Sequence, residues 1–396
     1  MRKVPKLRFP EYHEDWEQEE LGAKGEFFRG SSLSKDDLSS EGSPCILYGE
    51  LYTSYDETVR AVNSKTDRHF DNPVYGSIND VLIPSSGETA IDIAKAVCLL
   101  VNNVLIGGDL NIFRSSQLNG LFLSYQLNHK KRIDIAKIAQ GASIFHLYSN
   151  SLKKLLIEYP SLPEQTKIAS FLSYIDAKID KQKEKVNAFE EYKKGLLRKI
   201  FSQEIRFKDD DGSEYPNWSE KRVDEVINIS PVKVIPHSDG NVFRCIELEH
   251  IDSVSGRING YSESMNQLSM KNKFEKGQVL YGKLRPYLRK YWHAEFDGLC
   301  SSEIWVLDGI CITNTFLSII VQTELFNQYA CISCGSKMPR ADWNFMRKQP
   351  INIPQHQEQV KIANFLFLFG TMLDKEKTKI DLLREFKKGL LQQMFV

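Results

Sequence analysis

The sequence has no long apolar run. Its 396 residues contain no stretch near the roughly 18 consecutive apolar residues of a transmembrane helix. The longest candidate, residues 91–106, is interrupted by Asp92, Lys95 and two asparagines. The first sixteen residues also lack the apolar core of a signal peptide. We therefore expect a cytoplasmic protein that has no membrane partner.

Neither sign of charge is in excess, because 52 Lys and Arg residues balance 52 Asp and Glu residues. This balance gives no overall charge argument for any partner. It does not exclude nucleic acid, since a local basic face is enough to contact phosphates. The seven cysteines have no framework spacing, which fits a reducing compartment. With 41% hydrophobic and 26% charged residues, the composition is that of an ordinary globular protein with room for two or three domains.

The motifs of several enzyme classes are incomplete. Residues 72–75 read NPVY and lack the second proline of an adenine methyltransferase loop, and no G-x-G motif opens a βαβ unit. Residues 25–32 read GEFFRGSS and lack the lysine of a phosphate-binding loop. Cys331 and Cys334 form a lone C-x-x-C pair without the second pair of a zinc site. We predict that the chain has no catalytic residues and binds no metal or cofactor.

The chain does contain an internal repeat with an offset of 194 residues. EEYKKGLLRKIF at 190–201 returns as REFKKGLLQQMF at 384–395, and QTKIASFL at 165–172 returns as QVKIANFL at 359–366. From Gly141 to Phe201 the alignment needs no gap, and 23 of 61 positions are identical. A weaker similarity upstream relates the Arg-Phe…Trp segment that starts at Arg8 to the one that starts at Arg206. The repeat indicates a duplicated chain of two halves, each a variable stretch followed by a shared tail.

Each shared tail has apolar residues at alternating steps of four and three, the spacing of a coiled-coil seam. The two seams are Ile168, Leu172, Ile175, Ile179, Gln182, Val186, Phe189, Lys193, Leu196 and Ile200, and Ile362, Leu366, Phe369, Leu373, Glu376, Ile380, Leu383, Lys387, Leu390 and Met394. We predict two antiparallel helices of roughly 57 Å that pack against each other, at 1.5 Å per residue. The alternative is a long surface helix on a globular core.

Both seams have polar breaks in the same two layers, and these breaks suggest a register. If the helices overlapped end to end, Lys193 would face Phe369 and Gln182 would face Ile380. A shift of two layers instead places Lys193 opposite Glu376 and Gln182 opposite Lys387. Because a buried unpaired lysine costs stability, we expect the shifted register.

The unrepeated stretches predict two similar α/β (α+β) domains with mixed β-sheets. Their short apolar runs are punctuated by Gly, Pro, Asn and Ser, and DVLI at 80–83 has its counterpart in QVLY at 278–281. Two long antiparallel coiled-coil helices would join these domains. The predicted divisions are an N-terminal segment 1–15, a first domain 16–160, a central helix 161–204, a second domain 205–354 and a C-terminal helix 355–396.

The order of these parts resembles the specificity subunit (HsdS) of type I restriction–modification enzymes over essentially the whole chain. The resemblance rests on the Arg-Phe…Trp segments, on GSKMPRADW at 335–343, on the Glu-Gln-x-Lys-Ile-Ala-x-Phe-Leu helix starts and on the Lys-Lys-Gly-Leu-Leu ends. The first helix start, YPSLPEQTKIA at 159–169, departs from the longer version of the family.

The resemblance implies a non-catalytic subunit with two target recognition domains, each of which reads one half of a split site in double-stranded DNA. It implies helices that set the spacing of the half-sites and dock two modification (methyltransferase) subunits. S-adenosylmethionine is then expected on the modification subunits, and restriction (translocase and endonuclease) subunits are further partners.

Candidate DNA contacts lie in the variable stretches. GKLRPYLRK at 282–290 combines cations with aromatic rings, and such cations donate to guanine edges or phosphates. A solvated basic hairpin is the alternative. The predicted contacts of the second domain are Lys283, Arg285, Tyr287, Arg289, Lys290, Ser336, Lys337 and Arg340. In the first domain, the positions that match the 335–343 segment are Ser143 and His146. Further predicted contacts of this domain are Ser85, Ser86, Asn111 and Arg114. For the two serines and the asparagine, the alternative is that they only form turns.

A second function is also compatible with this sequence, namely a coiled-coil adaptor that joins two protein partners without touching DNA. Exposure of Arg285 and Arg289 on one face with Lys337 and Arg340 would favour DNA binding. Pairing of these cations with Asp or Glu would favour the adaptor.

Overall fold

The computed structural model describes residues 4–230, 232–236, 242–266, 269–334 and 338–396. The chain divides into two compact units. Unit 1 comprises residues 1–183 and 378–396, and unit 2 comprises residues 184–377. Within the described ranges, no helix is both long and apolar enough to cross a membrane.

Unit 1 is built around a mixed sheet whose strand order is β2-β11-β7-β9-β4, beside a second sheet of order β5-β3-β10-β6. Two smaller sheets pair β1 with β14 and order β12-β13-β8. The strands are β1 Glu17–Glu20, β2 Glu26–Arg29, β3 Ser43–Ile46, β4 Thr58–Val59, β5 Lys65–Thr66, β6 Tyr75–Gly76, β7 Val81–Pro84, β8 Ser86–Gly87, β9 Val97–Leu99, β10 Val104–Ile106, β11 Leu110–Arg114, β12 Gln140–Gly141, β13 Phe145–His146 and β14 Leu156–Tyr159.

The helices that begin in unit 1 are α1 Glu50–Thr53, α2 Ala90–Ile93, α3 Gly120–His129, α4 Arg132–Ile138, α5 Ser149–Leu152 and the 40-residue α6 Leu162–Phe201. Helix α3 begins after Asn119, whose side chain accepts a hydrogen bond from the amide of Phe122 and so caps the helix. Nearly all of α3 is buried, because it packs against the sheet at β7 and β9.

Unit 2 has a sheet of order β16-β24-β21-β22 and a sheet of order β17-β20-β23-β18-β19, with the pairs β15-β27 and β25-β26. The strands are β15 Ser219–Arg222, β16 Ile227–Ile229, β17 Lys233–Val234, β18 Arg244–Ile246, β19 Ser262–Glu263, β20 Lys271–Phe274, β21 Val279–Gly282, β22 Tyr291–His293, β23 Gly298–Cys300, β24 Ile304–Gly309, β25 Ser333–Cys334, β26 Arg340–Ala341 and β27 Pro350–Ile353.

The helices that begin in unit 2 are α7 Val223–Val226, α8 Asn314–Ile320, α9 Glu324–Cys331, α10 Trp343–Met346 and the 39-residue α11 His356–Met394. Thr313 caps α8 as Asn119 caps α3, at the repeat offset of 194 residues. The predicted fold class is thus confirmed, because both units are mixed α/β and two long helices follow the two variable stretches.

A buried ion pair fastens the start of each long helix to the segment that precedes its domain. Arg8 donates to both carboxylate oxygens of Glu164 at 2.7 and 2.8 Å, and Arg206 does the same to Glu358 at 2.8 and 2.9 Å. Both carboxylates are almost completely buried. Each ion pair also raises the pKa of its arginine, chiefly through the hydrogen bond to the carboxylate. The repeated Arg-Phe and Glu-Gln motifs are therefore two sides of one contact.

The glutamine of each Glu-Gln motif joins the long helix to its domain. The Gln165 amide donates to the Pro160 carbonyl at 2.9 Å, and its oxygen accepts from the amide of Asn119 at 2.9 Å. Gln359 is equally buried and donates to the Pro354 carbonyl at 3.0 Å. The motif therefore fixes the direction in which the helix leaves the sheet.

The long helices are antiparallel, but the shifted register is wrong. In unit 2, Lys185 forms an ion pair with Glu376 at 3.0 Å, and the Phe189 ring packs against Phe369 at 5.8 Å. These contacts match the end-to-end overlap, in which Lys193 lies near the level of Phe369. Lys193 therefore does not meet Glu376.

The lysines at the polar breaks bond to their domains, which removes the reason for a shift. Lys387 forms ion pairs with Glu57 at 2.9 Å and Asp176 at 2.7 Å, all within unit 1. In unit 2, the Lys193 ammonium donates to the Gln322 side chain at 3.0 Å. Glu57 and Gln322 belong to the domains, and Asp176 lies on α6, so Lys387 also pairs with the other long helix.

Candidate nucleic-acid interface

In unit 2 the fold brings together two basic segments that lie about fifty residues apart in the sequence. Leu284 forms an antiparallel bridge with Arg340. The Ala341 amide donates to the Lys283 carbonyl at 2.9 Å, and the Arg285 amide donates to the Pro339 carbonyl at 2.8 Å. The 283–290 segment and the 338–341 segment therefore form one surface.

The loop after β21 has an unusual backbone. A short 3-10 helix, Pro286–Leu288, is flanked by Arg285 and Arg289, with φ angles of +52° and +49°. Non-glycine residues seldom adopt this left-handed conformation, which costs about 1–3 kcal/mol at each position. Backbone hydrogen bonds from the Arg285 amide to the Pro339 carbonyl and from the Val254 amide to the Arg289 carbonyl hold the loop in this shape, so its side chains project from a defined scaffold.

The predicted cations of this surface differ in how far they are engaged. Arg285 and Tyr287 are exposed, whereas Lys283 is half-buried. Arg289 donates to Glu324 at 2.6 Å, and Lys290 donates to the Leu248 carbonyl at 2.7 Å.

Arg340 is also paired, because it donates to both carboxylate oxygens of Glu303 at 3.0 and 3.2 Å. This hydrogen-bonded pairing raises the pKa of Arg340. Ser336 and Lys337 lie outside the described residues. Arg285 is thus exposed, as DNA binding would require of it, while Arg289 and Arg340 form the carboxylate pairs that we expected of an adaptor.

Unit 1 builds the same arrangement from different side chains. His146 pairs with Ser86 across β13 and β8, as Arg340 pairs with Leu284 in unit 2. The Leu147 amide donates to the Ser85 carbonyl at 3.0 Å, which corresponds to the bond between Ala341 and Lys283. The predicted correspondence of the two segments is therefore present in the backbone.

The exposed residues among the predicted contacts of unit 1 beside β13 are uncharged or weakly basic. His146 and Ser143 are exposed, and the His146 ring stacks on Tyr148 with an angle of 23° between the planes. Ser86 is half-buried beside them. The surface therefore has a different chemical character from that of unit 2.

Three other predicted residues of unit 1 have contacts within the fold. Asn111 is buried and donates to the Leu147 carbonyl at 2.9 Å, so it fixes the β13 segment from below. Ser85 is buried. Arg114 makes two hydrogen bonds to the buried Asp80, at 2.8 and 2.6 Å, and this hydrogen bonding raises the pKa of Arg114. Their direct contact with DNA stays a prediction, and the structure gives them positioning contacts.

A groove of about 1120 Å³ next to His146 contains residues that the sequence reasoning missed. Tyr48 and Tyr52 lie on one side of it, with their ring centroids 6.4 Å apart. Lys95 and Arg132 also line the groove, and burial lowers the pKa of Lys95. The signal that could have identified this wall is the pair of tyrosines four residues apart.

Among the described residues, no group of three or more His, Cys, Asp or Glu side chains could hold a metal ion. Cys331 ends α9, and its sulfur lies 3.8 Å from the Asn327 amide oxygen. What the described surfaces offer is a set of hydrogen-bond donors, acceptors and aromatic faces.

Known proteins share this architecture. The family of the type I restriction modification DNA specificity domain matches residues 13–191 and 216–385. The specificity subunit of the type I restriction enzyme EcoDI from Escherichia coli is 23% identical over 275 residues, an alignment that covers 61% of this chain and 62% of that subunit. The chain thus spans about three fifths of the length of that relative. The MjaVIII specificity subunit from Methanocaldococcus jannaschii is 23% identical over 97% of this chain and 92% of its own length.

Two solved structures share the fold over nearly the whole length. The S subunit of a type I restriction–modification system from M. genitalium superposes with a TM-score of 0.59 at 17% identity, covering 99% of both chains. A chain from a study of complex assembly and conformational transition in the type I system gives a TM-score of 0.59 at 14% identity, with 96% of this chain and 97% of that one covered. Since the family matches both halves of the sequence and the fold agrees end to end, this chain belongs to the type I restriction–modification specificity subunits.

Proposed function

We propose that the chain is the DNA-reading subunit of a type I restriction–modification complex and that each unit reads one half of a bipartite site. The observation that carries the proposal is the backbone arrangement repeated beside β8 and β26. It presents His146 with Ser86 in unit 1 and Arg340 with Leu284 in unit 2. One scaffold with two different sets of side chains is suited to two different half-sites.

The two surfaces favour different contacts with DNA. In unit 2, Arg285 and Lys283 provide cationic donors for guanine edges or phosphates, and Tyr287 provides an exposed ring. In unit 1, Ser143 and His146 provide short polar groups that donate to or accept from base edges. The half-site read by unit 2 should therefore depend more strongly on guanine.

The long helices would set the half-site spacing and dock two modification subunits. Exposed apolar side chains support this role. On α11 in unit 2, Phe365, Leu368 and Met372 recur at helical spacing and are 40%, 63% and 55% exposed. On α11 in unit 1, Leu382 and Phe386 are 59% and 53% exposed. Apolar stripes of this kind accept an amphipathic helix of a partner.

In this proposal the catalytic groups belong to the partners. Two modification subunits would hold S-adenosylmethionine and transfer its methyl group to adenine. Restriction subunits would join the same complex. The present chain would select the DNA sequence and orient the partners on it.

The deciding experiment is co-expression with the modification subunit, followed by single-molecule sequencing of host DNA for N6-methyladenine. We expect a motif of two short defined halves with an unspecified spacer. Expression of the modification subunit alone is the control and should give no such motif. A continuous motif without a spacer would contradict the assignment of one half-site to each unit.

The adaptor function keeps one supporting observation, the pairing of Arg289 with Glu324 and of Arg340 with Glu303. Binding of the assembled complex to duplexes with the methylated motif or a scrambled motif separates the two functions. An adaptor would bind neither duplex, whereas a DNA-reading subunit would prefer the first.

A further inference from the structure

Unit 2 contains a cavity of about 380 Å³ next to the lysine of its polar layer. Its walls come from parts of α6, α8 and α11 that belong to this unit and from the edge of the sheet at β22. Lys193, Gln322, Gly370 and His293 are among the lining residues. The volume lies at the lower end of the range of small-molecule sites, which is roughly 300–1,000 Å³.

Lys193 has no carboxylate partner among the described residues. Its ammonium group donates to the amide oxygen of Gln322 at 3.0 Å. Burial lowers the pKa of this lysine. A charged group that loses water without gaining a counter-charge is unfavourable.

The duplicated half shows what such a lysine normally contacts. Lys387 in unit 1 is the counterpart of Lys193 at the repeat offset. It forms ion pairs with Asp176 at 2.7 Å and Glu57 at 2.9 Å, and the Tyr125 hydroxyl donates to the same Asp176 at 2.5 Å. Unit 1 therefore surrounds its lysine with two carboxylates.

Unit 2 lacks the first of these carboxylates because the counterpart of Asp176 is Gly370. A Cβ atom built on Gly370 would have no heavy atom within 4 Å. The counterpart of Tyr125, at the same offset, is Ile319. The space that the aspartate occupies in unit 1 is thus part of the cavity in unit 2.

The second carboxylate has no counterpart in the described part of unit 2 either. Glu57 directly precedes β4, the edge strand that pairs with β9. The corresponding sheet in the described part of unit 2 has four strands and ends at β22, which takes the place of β9. It therefore has no edge strand equivalent to β4 that could place a carboxylate next to Lys193.

The other charged groups at the cavity are already balanced or open to solvent. Asp374 forms an ion pair with Arg257. Glu295 is exposed, and burial lowers the pKa of His293, which leaves that ring neutral at pH 7. Glu190 and Lys377, which also act on Lys193 electrostatically, pair with each other at 2.7 Å. Asp374 and Glu190, the two acids that raise the pKa of Lys193, are thus each paired with another cation, and Lys193 has no ion-pair partner of its own in the described part of the chain.

We propose that this cavity binds a small dissolved oxyanion, a phosphate or carboxylate group, on the ammonium of Lys193. The anion would replace the carboxylate that Asp176 supplies in unit 1. It would contact groups on both long helices of unit 2 and on α8, so binding would stabilise this unit. The site is independent of the proposed DNA surface, which lies around Arg285 and Arg340.

The test is thermal unfolding of the full chain in sodium phosphate and in sodium acetate, each compared with sodium chloride at equal ionic strength. Ligand binding to the folded state raises Tm in proportion to the logarithm of ligand concentration above Kd. We expect this dependence for phosphate, for acetate or for both, and the comparison identifies the preferred oxyanion. Phosphate also stabilises proteins by exclusion from their surface, and variants separate the two effects.

Lys193→Met should remove the logarithmic dependence, whereas Lys199→Met, an exposed lysine on the same helix and in the same unit, should keep it. Gly370→Asp should raise Tm without added anion and abolish the response, because the new carboxylate would take the place of the ligand. Gly370→Asp decides alone if Lys193→Met does not fold, since the glycine faces open space. An equal response in all variants, or none in the parent chain, would overturn the proposal.

Discussion

Arg289 donates a hydrogen bond to Glu324 at 2.6 Å, while Arg285, four residues earlier in the same loop, remains exposed. The two arginines should therefore contribute unequally to DNA binding. Arg285→Ala should weaken binding of the assembled complex to its site by about 1–3 kcal/mol, the range of one good base contact. Arg289→Ala should cost less, because its guanidinium is already engaged.

Fluorescence anisotropy at one fixed salt concentration measures these affinities. Lys348→Ala, an exposed lysine elsewhere in unit 2, is the matched control for loss of one charge. If Arg285→Ala leaves the affinity unchanged at moderate salt, the loop is only a solvated basic hairpin.

The two half-sites should respond to separate parts of the chain. Replacing residues 20–140 by the same region of another specificity subunit should change one half of the methylated motif and leave the other half intact. The physical reason is that Tyr48, Tyr52 and Ser86, which lie beside His146 in unit 1, fall within the replaced region, whereas the surface of unit 2 lies outside it. Sequencing of N6-methyladenine in host DNA gives the result, and a change of both halves together would show that the units do not read independently.

The Glu164 carboxylate should be essential to unit 1, because its removal leaves Arg8 in a largely buried position without a counter-charge. We expect Glu164→Ala to lower the free energy of unfolding by about 3–5 kcal/mol, the usual cost of breaking a buried pair. The double variant Arg8→Met with Glu164→Leu should recover part of this loss. Urea unfolding gives the free energy of unfolding of the parent chain, of Glu164→Ala and of the double variant. If Glu164→Ala is as stable as the parent chain, the ion pair does not stabilise unit 1.

The cluster around Lys387 should make the stability of unit 1 depend on acid pH. Burial alone would raise the pKa of Glu57, but the hydrogen bond from His129 and the charge of Lys387 outweigh it and lower this pKa to about 2. A lowered folded-state pKa contributes stability above the ordinary value of 4.5, and this contribution is lost as the pH falls towards 2. Burial raises the pKa of Asp176, which acts in the opposite direction and reduces the net effect.

The stability difference between the parent chain and Glu57→Gln should therefore shrink between about pH 5 and pH 3. Its size near neutral pH should be about 3 kcal/mol at most, at 1.36 kcal/mol per unit of pKa. Urea unfolding at a series of pH values tests this. If the difference stays constant across this interval, the contribution of Glu57 to stability does not depend on ionisation of its carboxyl group.

The periodicity of the tails was sufficient to predict the long helices, because one apolar seam per helix is a local property of the sequence. The register was not predictable in this way. The pattern suggested that Lys193 and Lys387 pair with seam residues of the opposite helix, but Gln322 and Glu57 come from the domains, and Asp176 lies on α6 outside the seam. Only the fold shows that these groups are near the seam.

The candidate surface likewise has features that the local sequence predicts and features that only the fold shows. The cations of the 283–290 segment followed from composition, whereas their proximity to Arg340 was only a condition that would favour DNA binding. Glu303, which pairs with Arg340, lies just before β24, and Glu324, which pairs with Arg289, lies at the start of α9. Neither carboxylate carries a local signal in the sequence. The tyrosine wall at Tyr48 and Tyr52 was missed because only Tyr52 lies in a helix, α1, which has just four residues, while Tyr48 precedes it.

The division of the chain also has a consequence for synthesis on the ribosome. Unit 2 is continuous, whereas unit 1 waits for residues 378–396, which are made after all 194 residues of the intervening unit. Until then Trp16 and Phe122 lack the ring of Phe395, and Glu57 and Asp176 lack the ammonium of Lys387. The unit that is synthesised first should therefore complete its fold last. Until then the nascent first half should expose an apolar and acidic surface to which a chaperone can bind.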